Sequence, residues 1–222
     1  MKSISIVIPT YNHYDLLHNR LFEIYQRCQP VLEVIVVDDC STEENYAQGI
    51  EWWQNNGMLN VRQLRMKKNG GFIRSSNIGM QKAVGDIILL LSSDVRIGTD
   101  VVAPLQKYLG LGQRTIVGGR VVDWDSGWNT FDGVTYPYLE GWFLAATKES
   151  WKELEYLDED LVPHDFEDVS LSTKALRSGY NLVPLNDDRF QHMSGQTIGF
   201  NPDREAITIR NREIFRRKYV EG

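Results

Sequence analysis

The chain has 222 residues, 42% of them hydrophobic, enough apolar material for one large packed domain. A formal net charge of -6 and a sequence pI near 5.3 exclude whole-molecule electrostatic attraction to nucleic acid and leave room only for a local basic patch. The two cysteines, Cys28 and Cys40, lack the spacing of a zinc or redox site, so both are expected as thiols in a reducing compartment.

The first apolar run, residues 4–8, is too short for a signal-peptide core and ends at Pro9; it reads as a β-strand, and a cytoplasmic protein is expected. Leu17, Leu21, Ile24 and Cys28 then recur at i, i+4, i+7 and i+11, the stripe of an amphipathic helix. A second strand is predicted at 32–37. Ser41 and Glu44 have capping-box spacing and predict a helix that turns Tyr46, Ile50 and Trp53 inward. A strand at 61–64 precedes a helix with Ile73, Met80 and Val84 on one face, stopping at Gly85. Further strands are predicted at 87–91 and 115–122. Later, Phe166, Val169 and Leu176 share a helical face that ends at Gly179. Residues 203–218 carry six basic and three acidic residues, with Ile207, Ile214 and Phe215 at helical spacing, and read as a C-terminal amphipathic helix. No apolar run approaches the ~20 residues needed to span a bilayer, so any membrane contact is expected to be peripheral.

Alternating strands and helices predict a single Rossmann-like α/β domain with parallel strands and right-handed crossovers. The loops that follow the strands then gather at one sheet edge, where ligands bind. Those loops are polar. The first carries Pro9-Thr10-Tyr11-Asn12, the second Asp38-Asp39-Cys40-Ser41, the fourth Ser92-Ser93-Asp94. An aromatic ring, hydroxyls and several carboxylates would therefore line one crevice.

These pieces, in this order with Asn69-Gly70-Gly71, Asn77, Gly79 and Gly85-Asp86-Ile87-Ile88, resemble the family-two glycosyltransferases of the GT-A fold, over residues 4 to about 197. The resemblance implies a central, mostly parallel mixed sheet flanked by helices. It implies a nucleotide-sugar donor half at 1–98, an acceptor and catalytic half at 99–200, and the C-terminal helix at 201–222. It places Pro9, Thr10, Tyr11, Asp39, Gly71, Arg74 and Ser93 against a UDP- or dTDP-sugar, and Asp94 against Mn²⁺ or Mg²⁺ at the diphosphate. Of the pair at 38 and 39, Asp39 is the expected ligand and Asp38 a turn cap.

Ser92 stands where the family's D-x-D motif has its first Asp, which leaves the metal one carboxylate fewer. His164-Asp165-Phe166-Glu167-Asp168 resembles the Glu-Asp motif, which makes Asp168 the catalytic base and Glu167 an acceptor-side residue. Without the resemblance, the two acids would simply complement a helix dipole. His192-Met193-Ser194-Gly195-Gln196-Thr197 resembles a late segment whose His completes the metal site and whose loop closes over the diphosphate. Trp142 falls on the acceptor side, where it is equally expected as a sugar platform or a core aromatic. His13, His18 and His164 have no such support as metal ligands and are not expected to serve as them.

The implied reaction is inverting transfer to a hydroxyl acceptor, a glycan being favoured. The basic C-terminal segment alone supports a modified base in DNA as acceptor. Nucleotidyltransfer is disfavoured because no basic Gly-rich loop follows the first strand, and a dehydrogenase because G-x-G-x-x-G is absent there. A catalytically dead sugar- or nucleotide-binding module is the non-enzyme alternative, with Ser92 as its mark.

Overall fold

The computed structural model describes residues 1–44, 46–110, 114–185, 189–193 and 203–222. Its first half is a run of β-α units: β1 (Ile4–Thr10), α1 (Tyr14–Arg27), β2 (Glu33–Asp38), α2 (Tyr46–Asn55), β3 (Val61–Arg65), α3 (Gly71–Lys82) and β4 (Ile87–Leu91). Next come β5 (Val95–Ile97), α4 (Val102–Leu109) and β6 (Thr115–Gly118). Short pieces follow, β7 (Val121–Val122), β8 (Thr130–Phe131), β9 (Val134–Thr135) and β10 (Tyr138–Leu139). The chain then forms β11 (Phe143–Thr147), α5 (Lys148–Glu153), α6 (Glu167–Arg177), β12 (Asn181–Pro184), β13 (Phe190–His192) and α7 (Arg204–Phe215).

Seven strands form the main sheet in the order β12-β6-β11-β4-β1-β2-β3. Neighbours run parallel except around β11, which is antiparallel to both β4 and β6. The expected mostly parallel mixed sheet is therefore observed. β1, β2, β4 and β11 are buried throughout, as their unbroken apolar runs require of strands covered on both faces. One face packs on α1 and α2 through Leu17, Leu21, Ile24, Ile50 and Trp53; the other packs on α3 and α6 through Ile73, Met80, Val169 and Leu171. Gly79 lets α3 sit close, since a Cβ there would lie 2.3 Å from Val7.

Several local expectations differ from the structure. The strand expected at 115–122 divides into β6 and β7, because the chain bends at Gly119, over which the Trp142 ring packs. Val84 lies past the end of α3 and is exposed; its amide caps Glu33 instead of extending the helix face. Leu176 is likewise exposed, and Ala175 takes the inward position on α6. Ser41 and Glu44 do not form a capping box. The Ser41 hydroxyl accepts from the Asn12 amide at 2.8 Å, and Glu43 accepts from the His13 and Tyr14 amides at 2.9 Å. The second strand's loop therefore caps the start of α1 rather than α2.

The C-terminal helix α7 does form. Its Phe215 is fully buried against Phe131, Tyr136 and Phe166, and the buried Asn211 amide donates to three carbonyls, those of Leu161, His164 and Asp165. That anchor fixes the segment leading into α6. No described helix is long and apolar enough to cross a membrane.

Candidate active site

β1 and β2 are parallel neighbours, so their terminal loops lie side by side, as Asp39 N donating to Thr10 O at 2.8 Å records. A cavity of about 250 Å³ opens there, lined by Pro9, Thr10, Tyr11, Asp39, Gly71 and Ser92. Five residues expected at the donor are thus together. The Asp39 carboxylate accepts from the amides of Gly70 and Gly71 at 2.7 and 2.8 Å. Burial raises its pKa; the two amides offset this in part, and the neighbouring Asp38 adds to the rise. A carboxylate has about four lone-pair sites, so two remain for a ligand. Asp38 faces away: it accepts from the Ser41 amide at 2.7 Å and pairs with Arg65, the turn-capping role expected of it.

Two expected donor residues are not at this wall. Arg74 is exposed and lies 3.7 Å from Glu159, while Ser93 is buried with its carbonyl accepting from Arg20 at 3.4 Å. α3 turns Arg74 outward, and the bend after β4 presents Ser92 in place of Ser93. Pro163 and His164 also line the cavity. Gly71, at φ +82°, is packed so closely that a Cβ would lie 2.4 Å from Pro163. His164 has no motif support in the sequence, and only this non-local packing brings it to the cavity.

The pairing of β5 with β13 sets His192 beside Val95, and His192 Nε2 lies 3.6 Å from Asp94 Oδ1. Trp142 backs this pair: its ring stacks on His192 at 5.4 Å and 24°, and its indole N–H donates to Glu140 at 3.0 Å. The ring is partly buried, packed on Gly119, Phe190 and His192. The Ser92 hydroxyl donates to Asp94 Oδ1 at 2.6 Å, so the departure from the D-x-D pattern supplies an orienting group for the remaining carboxylate. Among the described residues no three His, Cys, Asp or Glu side chains converge on one point. One carboxylate and one imidazole nevertheless suit a divalent ion whose other ligands come from a diphosphate and water. Residues 194–197, expected to close over the diphosphate, lie outside the described residues.

If Ser92 orients Asp94, Ser92→Ala should raise the Mn²⁺ concentration that half-saturates nucleotide binding by about 10- to 100-fold. An unchanged Mn²⁺ titration would show that the hydroxyl does nothing for the metal.

Asp168 sits in the first turn of α6, preceded by Asp165 and Phe166 in the left-handed region, at φ 71° and 70°. Such backbone costs about 1–3 kcal/mol per residue and persists where surroundings hold it, here the Asn211 bonds. Asp168 accepts from Gly141 N at 3.1 Å and from Val169 N at 2.8 Å. Burial pushes its carboxyl up to about 7 despite those two amides, helped by the charges of Asp165 and Glu140. Glu167 is buried deeper, and burial together with Asp168 raises its pKa well above the usual range. Its Oε2 has no hydrogen-bond partner. Burial thus favours the protonated form of both carboxyls, which titrate as a pair.

A second cavity of about 760 Å³ opens at Asp168, with Trp128, Tyr138, Asp165, Arg204 and Thr208 on its walls. Consecutive residues join it to the first: Pro163 and His164 line the donor-side cavity, Asp165 to Asp168 the other. A second tie runs through Gly141 and Trp142. Gly141 N donates to Asp168, and Trp142 O accepts from Ser92 N at 2.9 Å.

The basic residues of the C-terminal segment are largely engaged within the chain. Arg204 faces Asp165, Arg212 donates to the carbonyls of Trp128 and Thr130, Arg216 pairs with Glu221 and Lys218 with Asp158 and Asp160. These contacts tie the basic segment to the rest of the chain.

The family model for glycosyl transferase family 2 matches residues 5–164. Among curated proteins, a polypeptide N-acetylgalactosaminyltransferase 10 of Rattus norvegicus is 31% identical over 120 residues, 53% of this chain and 20% of the relative. The poly(ribitol-phosphate) β-N-acetylglucosaminyltransferase TarS of Staphylococcus aureus is 32% identical over 111 residues, 49% of this chain and 19% of the relative. The chain thus spans about a fifth of the length of these relatives. Among solved structures, the mannosyltransferase PcManGT from Pyrobaculum calidifontis, in complex with GDP-Man and Mn²⁺, superposes with a TM-score of 0.69 at 21% identity, covering 88% of this chain and 58% of that one. The fold is that of the GT-A glycosyltransferases.

Proposed function

Because the chain belongs to glycosyl transferase family 2, we propose that it is an inverting transferase that moves a sugar from a nucleotide diphosphate donor to a hydroxyl acceptor. The observation that carries this reading is the junction of the two cavities. Residues 141 and 142 tie Asp168 on one side to the Ser92–Asp94 bend on the other.

The donor's base and ribose lie in the cavity of Thr10, Tyr11 and Asp39. Tyr11 is exposed enough to stack on a base, and the free lone pairs of Asp39 accept from an imide N–H or a ribose hydroxyl. Asp94 and His192 would hold a divalent ion, Mn²⁺ or Mg²⁺. When bound, that ion neutralises charge on the leaving diphosphate. No second acid is required, since a nucleoside diphosphate leaves without the protonation that a glycosidic alcohol needs. Asp168 takes the proton of the acceptor hydroxyl, whose oxygen attacks the anomeric carbon from the face opposite the nucleotide as the bond to the diphosphate breaks, which inverts the anomeric centre. Glu167 lies beside Asp168 on the acceptor side.

The test is turnover. Incubated with Mn²⁺ and a panel that includes UDP-N-acetylglucosamine, dTDP-glucose and GDP-mannose, the protein should release nucleoside diphosphate from at least one donor, and EDTA should abolish the release. A nucleotide that binds with Mn²⁺ while no donor in the panel turns over would mark a binding module instead.

A further inference from the structure

Among the described residues that line the Asp168 cavity, Trp128 is the large aromatic left most exposed. It lies in the polar stretch Trp124-Asp125-Ser126-Gly127-Trp128, its side chain 45% exposed. The loop itself is firmly held. The fully buried Asn129 accepts from the amide and hydroxyl of Ser126 at 3.0 and 2.8 Å and donates to the carbonyls of Trp124 and Tyr136. Arg212 donates to the carbonyls of Trp128 and Thr130 at 3.1 and 2.8 Å, while its guanidinium lies 4.3 Å from the Phe131 ring centre. A pinned backbone that presents an open indole loses little conformational freedom when a ligand stacks on it.

The polar groups around the indole define the ligand further. Asp165, Glu205 and the Glu167–Asp168 pair face the cavity, and Arg204, the one cation among its described lining residues, already faces Asp165 at 3.4 Å. Thr208 donates to Asp165 at 2.7 Å and closes the polar side. A phosphate-bearing acceptor would meet net like charge at close range, which is repulsive. A neutral sugar matches both halves of the wall, with its C–H face on the ring and its hydroxyls on the carboxylates.

We propose that Trp128 is the acceptor platform and that the acceptor is a neutral glycan, one pyranose ring of which stacks on the indole. The inference rests on the reading of Asp168 as the base only in naming the ligand an acceptor; the binding itself is independent of that reading.

The experiment is saturation-transfer NMR on the full chain without donor. The neutral probes are methyl β-glucoside, methyl β-galactoside, methyl β-N-acetylglucosaminide, lactose and cellobiose; ribitol 5-phosphate and a short single-stranded DNA form the anionic arms. At least one neutral saccharide should show transfer, its affinity falling about tenfold or more in Trp128→Ala, the scale of a lost aromatic contact. Trp128→Phe and the control Trp124→Ala should keep most of it. The proposal is overturned if no neutral saccharide binds, if an anionic probe alone binds, or if Trp128→Ala leaves neutral binding unchanged. Normal turnover by Asp168→Asn would overturn the base reading and leave this result standing.

Discussion

Asp168→Asn should lower transfer by roughly 10²- to 10⁴-fold, the usual contribution of a general base, while leaving donor affinity nearly unchanged. The substitution keeps the side chain's size and one of its two oxygens, so the bond from Val169 N or Gly141 N can persist. What it removes is the oxygen that takes the acceptor proton. A helix-capping role implies a different outcome, a stability loss of about 1 kcal/mol with near-normal turnover. Stability therefore separates the two. A carboxyl whose pKa is raised by folding holds its proton more tightly in the native state, so its contribution to stability is complete below the unfolded value near 4 and is lost as pH rises through about 7. Above that pH, Asn removes the cost of a buried anion, and the variant should melt no lower than the wild type at pH 8. A clear drop in melting temperature with intact kinetics would return Asp168 to the role of a cap.

The second large effect is expected at Asp94. Asp94→Ala should abolish the Mn²⁺ dependence of nucleotide binding and lower transfer on the order of 10²- to 10³-fold, since Lewis-acid stabilisation of a leaving group is worth several kcal/mol. The carboxylate is buried and held by Ser92, with His192 3.6 Å away, so no other described acid is placed to substitute for it. Calorimetric titration of UDP with Mn²⁺ or with EDTA measures this directly. A variant that still binds UDP more tightly with Mn²⁺ than with EDTA would remove Asp94 from the metal.

Much of this site was legible because it follows strands. Pro9, Asp39 and Asp94 sit just at or beyond the ends of apolar runs, and parallel β-α units bring such ends to one edge whatever the details of the helices. α1 and α2 were legible too, since Leu17, Leu21 and Ile24, or Ile50 and Trp53, repeat with the helical period and are buried. Contacts that depend on distant pieces were not. The capping-box spacing of Ser41 and Glu44 is real, yet the Ser41 hydroxyl is taken by Asn12 across the sheet edge, and the neighbouring Glu43 turns to the start of α1. His164 carries no signal of its own, because only the packing of Pro163 on Gly71 brings it to the donor-side cavity. The different packing of Trp142 and Trp128 was hidden for a similar reason. Trp142 is followed by a buried strand and finds Gly119 and His192 to pack on, whereas Trp128 stands among Asp, Ser and Gly, with no apolar neighbours to bury it. Two tryptophans in so polar a loop were the available clue.

The pH dependence of transfer under saturating donor and Mn²⁺ tests most directly whether Asp168 drives the reaction. The wild type should lose activity about tenfold per pH unit below an apparent value near 7 that belongs to the Glu167–Asp168 pair, and the residual activity of Asp168→Asn should lack that step. A wild-type profile that stays flat down to pH 5, or an Asp168→Asn variant that retains the same step, would contradict the assignment of Asp168 as the base.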